Sequence, residues 1–155
     1  MDWLAKRILD EHHRICSSVR CNPVEDISEL VCDGKARVYV KLENQQETGS
    51  FKLRGATNRM HRLSPDERAQ GVVAASNGNH GLGVAAAAWR AGIQAEVYVS
   101  AQVSAKKAKR IEQLGARIVR AGDDPLEAET IVFPIASIGF SARPGLDPGT
   151  FRLTA

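Results

Sequence analysis

The alternation of hydrophobic and polar positions predicts two kinds of element in the first 65 residues. Residues 2–16 carry apolar side chains at helical spacing, which predicts an amphipathic helix, and Asn22-Pro23 closes off that region. Residues 36–43 alternate apolar with polar side chains, as a half-buried strand does. A second helix is expected over about residues 51–63, and Ser64-Pro65 begins a short turn after it.

From residue 71 onward a strand–helix unit repeats. Short apolar runs at 71–76, 95–100 and 116–122 predict three strands. The segments 81–91 and 104–115 between them predict helices, and each helix meets a glycine at its end. Short connections between strands in this order require crossover helices and a parallel sheet, so this part of the chain is expected to be α/β.

Composition narrows the class of protein. Hydrophobic residues make up 43% and charged residues 25% of 155 residues, as in soluble globular proteins. The net charge of +3 is small, and no basic stripe with interleaved aromatic residues points to nucleic acid. No apolar run reaches the roughly 18 residues of a membrane span, and residues 2–11 do not resemble a signal peptide. A cytoplasmic location, with no membrane partner, is therefore expected.

Two further features bear on organisation. The three cysteines, Cys16, Cys21 and Cys32, lack CxxC spacing, so reduced thiols rather than a metal site are expected. Residues 104–129 hold eleven charged residues and residues 130–155 hold three. Because the pattern breaks so abruptly, we interpret 130–155 as a non-native or disordered tail, with a genuine loop-rich extension as the alternative.

The turn "SNGNHG" at residues 76–81 lies where the first predicted strand of the repeat meets its helix. In open parallel sheets, ligands bind beyond the carboxyl ends of the strands. Two glycines allow a tight turn with free backbone N–H groups, and the helix start adds its positive dipole end. The turn is therefore a candidate site for a carboxylate or phosphate. An ordinary strand-to-helix turn with an N-cap residue has the same sequence pattern.

Lys52 follows a Thr-Gly-Ser turn and Phe51, and it opens a predicted helix. A lysine that is shielded from water near a positive helix end becomes a nucleophile able to form a Schiff base. Taken alone, the same pattern also fits a surface lysine or one that faces a phosphate.

Two longer segments together resemble one family. "KLENQQETGSFKLRGA" (41–56) and "GVVAASNGNHGLGVAAAA" (71–88) resemble fold-type II pyridoxal-phosphate enzymes of the tryptophan synthase beta-like superfamily, in particular the threonine/serine dehydratase and serine racemase group. The resemblance covers roughly residues 20–129 and implies an N-terminal portion only. It implies an incomplete three-layer fold, a parallel sheet with helices on both faces. Residues 1–46 would be an arm of the larger domain, and 47–129 would hold the lysine helix and the small α/β domain.

The resemblance also assigns roles. Lys52 would carry pyridoxal 5′-phosphate and act as the catalytic base, Phe51 would lie against the cofactor ring, and Asn79 would bind the 3′-oxygen. The substrate carboxylate would be held by the turn residues Ser76, Asn77, Gly78, Asn79 and His80.

The implied reaction is elimination from a hydroxy amino acid to a 2-oxo acid and ammonia, by an enzyme whose full-length relatives are homo-oligomers. Racemases of the group have a serine where this chain has Asn77, which favours the dehydratase over serine racemase. Another amino-acid lyase of the superfamily, and a non-catalytic remnant or short isoform, stay as alternatives. Nothing in 130–155 resembles the family's glycine-rich phosphate cup, and Asn22-Pro23-Val24 replaces the usual Thr-Pro-Leu. The chain by itself is therefore expected to be inactive.

Overall fold

The computed structural model describes residues 3–31, 36–128, 130–131 and 151–152. In the N-terminal arm, helix α1 (Trp3–Ile15) is followed by strand β1 (Val24–Asp26), the short helix α2 (Ser28–Val31) and strand β2 (Tyr39–Lys41). The strands β1 and β2 pair antiparallel, with Glu25 opposite Val40. In β2 only Val40 is partly buried, which agrees with the half-buried alternation of the sequence.

Two helices come next. A 3-10 turn (Glu43–Gln45) leads to helix α3 (Lys52–Arg62), and helix α4 (Pro65–Gln70) follows after two residues. Ser64 and Glu67 form a reciprocal capping box at the start of α4, where the side chain of each accepts a hydrogen bond from the backbone N–H of the other. The sequence indicated only a turn here, although Ser64-Pro-Asp-Glu67 carries the capping-box spacing.

The three strands of the parallel sheet that the sequence predicted are present, and a fourth, which the sequence did not predict, comes from the segment interpreted as a tail. Strand β3 (Val72–Ala75), helix α5 (Asn79–Ala91), strand β4 (Ala95–Val99), helix α6 (Ala105–Gln113) and strand β5 (Arg117–Arg120) alternate along the chain. The strand order is β5-β4-β3-β6, where β6 is the pair Phe151–Arg152, and every neighbouring pair is parallel. The α/β class is therefore confirmed.

The main core lies between the sheet and helices α3, α5 and α6. Val72 and Ala74 of β3 and Val97 and Val99 of β4 face this layer and are almost fully buried. A smaller cluster around Val73 and Tyr98 lies on the opposite face, with Ile131 packed against it. Helix α5 contributes small buried side chains to the main layer, and small side chains permit close approach of neighbouring backbones.

The two ends of helix α5 are set by the residues at those positions. Gly92 has φ +66° and its N–H returns to the carbonyls of Ala88 and Trp89, so the predicted glycine stop of α5 is confirmed. Helix α5 begins at Asn79, two residues before the predicted start at residue 81. The first turn of α5 therefore includes Asn79 and His80.

Most of the segment interpreted as a non-native or disordered tail, residues 132–150 and 153–155, lies outside the described residues. Cys32 also lies outside them, and Cys16 and Cys21 are exposed free thiols. In the described part of the chain, no helix combines the length and apolarity that crossing a membrane requires.

Candidate functional site

The turn after β3 is held in shape from within. The backbone N–H of Ser76 donates to the carbonyl of Tyr98 at 2.9 Å, which continues the sheet pairing one residue beyond β3. The Ser76 hydroxyl then accepts from the backbone N–H of Gly78 at 3.0 Å. The turn therefore leaves the sheet at a defined point, above the carboxyl ends of β3 and β4, where the sequence analysis expected a ligand.

Asn77 is tied to the neighbouring strand end. Its side-chain oxygen accepts from the backbone N–H of Ser100 at 2.7 Å, and its amide nitrogen donates to the Ser100 hydroxyl at 2.5 Å. Both polar ends of the Asn77 side chain are thus engaged. These two bonds point the side chain toward Ser100, and they leave the backbone N–H of Asn77 as a donor that an anion at the turn can use.

The N-terminus of α5 has no side-chain cap. Gly78 occupies the N-cap position, and the first intrahelical bond runs from the Leu82 N–H to the Gly78 carbonyl at 3.4 Å. Asn79 is exposed and His80 is partly buried. The first N–H groups of a helix have no intrahelical acceptor and lie at its positive dipole end, so this end can bind a carboxylate or phosphate group.

Lys52 is positioned by the turn that precedes it. Thr48 and Ser50 are buried, and Gly49 between them takes φ +74°, a conformation that glycine adopts without strain. The Ser50 hydroxyl accepts from the backbone N–H of Lys52 at 3.3 Å, at the first residue of α3. The Thr-Gly-Ser sequence thus builds the start of the lysine helix.

The Lys52 side chain is partly buried, and its ammonium nitrogen lies 5.3 Å from the centroid of the Phe51 ring. Among the described residues, no carboxylate forms an ion pair with this ammonium. Phe51 itself is 58% exposed, so much of its ring is accessible to a ligand. The amine is therefore available for chemistry with a bound group.

Gly83 brings the lysine helix next to the turn. A β-carbon at position 83 would lie 3.1 Å from the carbonyl carbon of Lys52 and 3.2 Å from the backbone nitrogen of Leu53. Gly83 follows Asn79 by about one helical turn of α5. The first turn of α3 therefore lies against the N-terminal part of α5, and the two motifs that the sequence separates are neighbours in space.

Ion pairs and hydrogen bonds join α3 and α5 to the residues that precede the Thr-Gly-Ser turn. Arg54 of α3 donates through Nε to both carboxylate oxygens of Glu43, at 2.9 and 3.0 Å, and through Nη2 to the carbonyl of Arg20 at 2.9 Å. Arg90 of α5 pairs with Glu47, next to the Thr-Gly-Ser turn. These ion pairs fix α3, α5 and the preceding loop relative to one another.

Sequence reasoning missed two residues that build the site. Ser100, which engages Asn77, follows β4 just as Ser76 follows β3, and this equivalent position was the available signal. Gly83 looked like one more small residue of an alanine-rich helix. Only the packing of α3 on α5 gives it a role.

The chain resembles known proteins over most of its length. A family model described as "Pyridoxal-phosphate dependent enzyme" matches residues 15–138. A putative threonine dehydratase of Sinorhizobium fredii is 45% identical over 113 residues, which are 72% of this chain and 34% of that protein. The L-threonine ammonia-lyase of Thermotoga maritima is 46% identical over 86 residues, which are 56% of this chain and 21% of that protein.

A solved structure agrees with these matches. The processed form of threonine deaminase isoform 2 from Solanum lycopersicum superposes with a TM-score of 0.76 at 28% identity, over 97% of this chain and 40% of that one. The matched segments cover about a third and a fifth of the lengths of the two curated relatives above.

Proposed function

Because the chain belongs to the family of pyridoxal-phosphate dependent enzymes, we propose that it forms part of a lyase that deaminates threonine or serine. The reaction is the elimination and hydrolysis of a hydroxy amino acid to a 2-oxo acid and ammonia. The observation that supports it most directly is the contact at Gly83, because it places the first turn of the lysine helix beside the uncapped start of α5. Both curated relatives are named for threonine, which is a hydroxy amino acid.

The residues present fit the cofactor. Lys52 offers an amine without an ion-pair partner among the described residues, and Phe51 offers an exposed ring beside it. Asn79 is exposed at the start of α5, where its side chain is able to hydrogen-bond a ring oxygen. We assign Phe51, Lys52 and Asn79 to the cofactor.

Pyridoxal phosphate, when bound, supplies an electron sink for negative charge at the substrate α-carbon. Lys52 accepts the α-proton as the general base. The turn from Ser76 to His80 holds the substrate carboxylate with backbone N–H groups at the helix start, and this orients the α-carbon toward the lysine. The β-hydroxyl takes up one proton and leaves as water, which balances the α-proton that Lys52 accepts. Water then hydrolyses the resulting enamine to the 2-oxo acid and ammonia.

This chain supplies only part of such a site. A dianionic phosphate needs its own set of N–H donors, and α5 has one N-terminus, which we assign to the substrate carboxylate. We therefore propose that parts of the relatives beyond the matched length hold the phosphate, and that the 155-residue chain alone does not turn over threonine or serine. A serine racemase is less favoured, because the Asn77 amide cannot act as a base and is bonded to Ser100.

A chimera tests the proposal. Residues 15–129 replace the matching segment of the Thermotoga maritima L-threonine ammonia-lyase, and the purified chimera is assayed for the visible band of lysine-bound cofactor and for release of 2-oxo acid from threonine and serine. We expect both signals in the chimera. Lys52→Ala removes both, with a loss of activity of several orders of magnitude, because each ~1.4 kcal/mol of barrier is tenfold in rate.

The matched control is Lys106→Ala, an exposed lysine on α6, which is expected to leave both signals unchanged. A borohydride-sensitive visible band that persists in Lys52→Ala shows that another lysine holds the cofactor. D-isomer formation at a rate comparable to 2-oxo acid release supports the racemase instead. Steady turnover by the unfused 155-residue chain contradicts the proposal that it is only part of a site.

A further inference from the structure

Two loops meet at the carboxyl ends of β3 and β4. The first is the anion-binding turn, residues 76–80, and the second is the segment 100–104 that joins β4 to α6. Ser100 is fully buried, at 0% exposure, although it lies beyond the end of its strand. A buried polar residue outside regular structure must find hydrogen-bond partners locally, and the partners of Ser100 come from both loops.

Ser100 and Asn77 form a reciprocal pair. The Ser100 N–H donates to the Asn77 side-chain oxygen, and the Ser100 hydroxyl accepts from the Asn77 amide nitrogen, at 2.7 and 2.5 Å. The same hydroxyl accepts from the backbone N–H of Gln102 at 3.2 Å. One buried serine thus fixes the second residue of the turn and shapes its own loop.

We propose that Ser100 is a positioning residue for the anion-binding turn, acting through Asn77. Each polar atom of the Asn77 side chain bonds to Ser100, so the side chain orients the turn. The Gly78 N–H is bonded to the Ser76 hydroxyl, and the backbone N–H groups of Asn77 and Asn79 are left to face the ligand. The carboxylate of an amino acid is the ligand class that these donors fit. The inference rests on the proposed function only in naming that ligand.

Such a pair is needed because few other interactions hold the backbone of the anion-binding turn. Gly78 has no side chain to cap α5, and the Ser76 hydroxyl secures only one N–H of the turn. Without an anchor on the neighbouring strand, several backbone conformations of Asn77 and Gly78 would be accessible. Preorganised donors bind a carboxylate more tightly than donors that must be ordered on binding.

The test uses the 155-residue chain and amide hydrogen exchange followed by NMR. Asn77→Ala is expected to speed exchange of the Ser100 amide about five- to tenfold, because its acceptor is lost. Ser100→Ala, and the near-isosteric Ser100→Cys, are expected to speed exchange of the Gly78 and Asn79 amides by a similar factor. The double variant Asn77→Ala/Ser100→Ala is expected to be no faster than the faster single variant, because the two residues act as one unit.

Ser104→Ala is the matched control. Ser104 lies in the same loop and caps α6 by accepting from the Lys107 N–H at 3.3 Å, so its loss lowers the melting temperature without touching the turn. Turn amides that exchange no faster in Ser100→Ala than in Ser104→Ala overturn the proposal, and so do additive effects in the double variant.

A second readout separates positioning from general stability. Acetate is titrated into each variant at a temperature where all are folded, and the amide shifts of residues 77–79 are followed. The pair variants are expected to bind acetate about tenfold more weakly, and Ser104→Ala is expected to match the unsubstituted chain. Equal acetate affinity in all variants overturns the positioning role. If the unsubstituted chain binds no acetate, the carboxylate assignment under the proposed function fails, and the exchange data alone decide whether Ser100 orders the turn.

Discussion

Adding one methyl group at Gly83 tests how closely the lysine helix approaches α5. A β-carbon there would meet backbone atoms of Lys52 and Leu53 at 3.1–3.2 Å, about 0.5 Å closer than carbon atoms prefer. Backbone atoms cannot rotate away as a side chain does, so the first turn of α3 must shift. Overpacking of this kind costs about 1–3 kcal/mol of unfolding free energy.

Gly55 supplies the matched comparison. It lies in α3, is exposed, and has open space around its missing β-carbon. Glycine to alanine within a helix is worth about 1 kcal/mol of stabilisation by propensity alone, and both variants gain this term. The difference in unfolding free energy between Gly55→Ala and Gly83→Ala therefore isolates the overpacking, and we expect Gly83→Ala to be the less stable by about 1–3 kcal/mol.

Urea and thermal unfolding of the two variants measure this difference. For a chain of this size, 1 kcal/mol corresponds to about 2–4 °C in melting temperature, so the expected separation is within reach of circular dichroism. If Gly83→Ala is as stable as Gly55→Ala, then α3 and α5 do not approach as closely as the structure shows. The spatial link between Lys52 and the anion-binding turn would then lose its support.

Two further variants test local features of α3 and α4. Thr57 is 4% exposed, and its hydroxyl has no hydrogen-bond partner in the described part of the chain. Thr57→Val is therefore expected to stabilise the fold by about 1–2 kcal/mol, whereas Thr57→Ser, which keeps the hydroxyl, is expected to destabilise it. A Val variant that is less stable in thermal unfolding would show that the hydroxyl is satisfied. At α4, the hydrogen bond from the backbone N–H of Ser64 lowers the pKa of Glu67. The charged carboxylate therefore stabilises the fold at pH values above the usual pKa of glutamate, and this contribution disappears as the pH falls through the lowered pKa. Glu67→Gln keeps a capping side chain without the charge, and its small deficit in melting temperature is expected at neutral pH and absent in acid; a pH-independent difference contradicts this reasoning.

The sequence alone determined the elements whose causes are local. The periodicity of residues 3–15, the small apolar run of β3 and the glycine after α5 each specify a helix, a strand or a helix end through contacts within a few residues. The two motifs also indicated the family, because each motif is long and the residue types and their order are specific. Ser64-Pro-Asp-Glu67 carries the capping-box pattern that starts α4, but such a box before a helix of only six residues is a weak signal in the sequence alone.

Tertiary structure decided what depends on residues far apart in the chain. Asn77 is compatible with binding a carboxylate through its side chain, and only the position of Ser100 on the neighbouring strand shows that the side chain is engaged elsewhere. Gly83 and Lys52 are 31 positions apart in the sequence, and no local preference reveals that their backbones nearly touch. The physical reason is that periodicity reports which face of an element is buried, whereas close approach and hydrogen-bond pairing depend on which other element packs against that face.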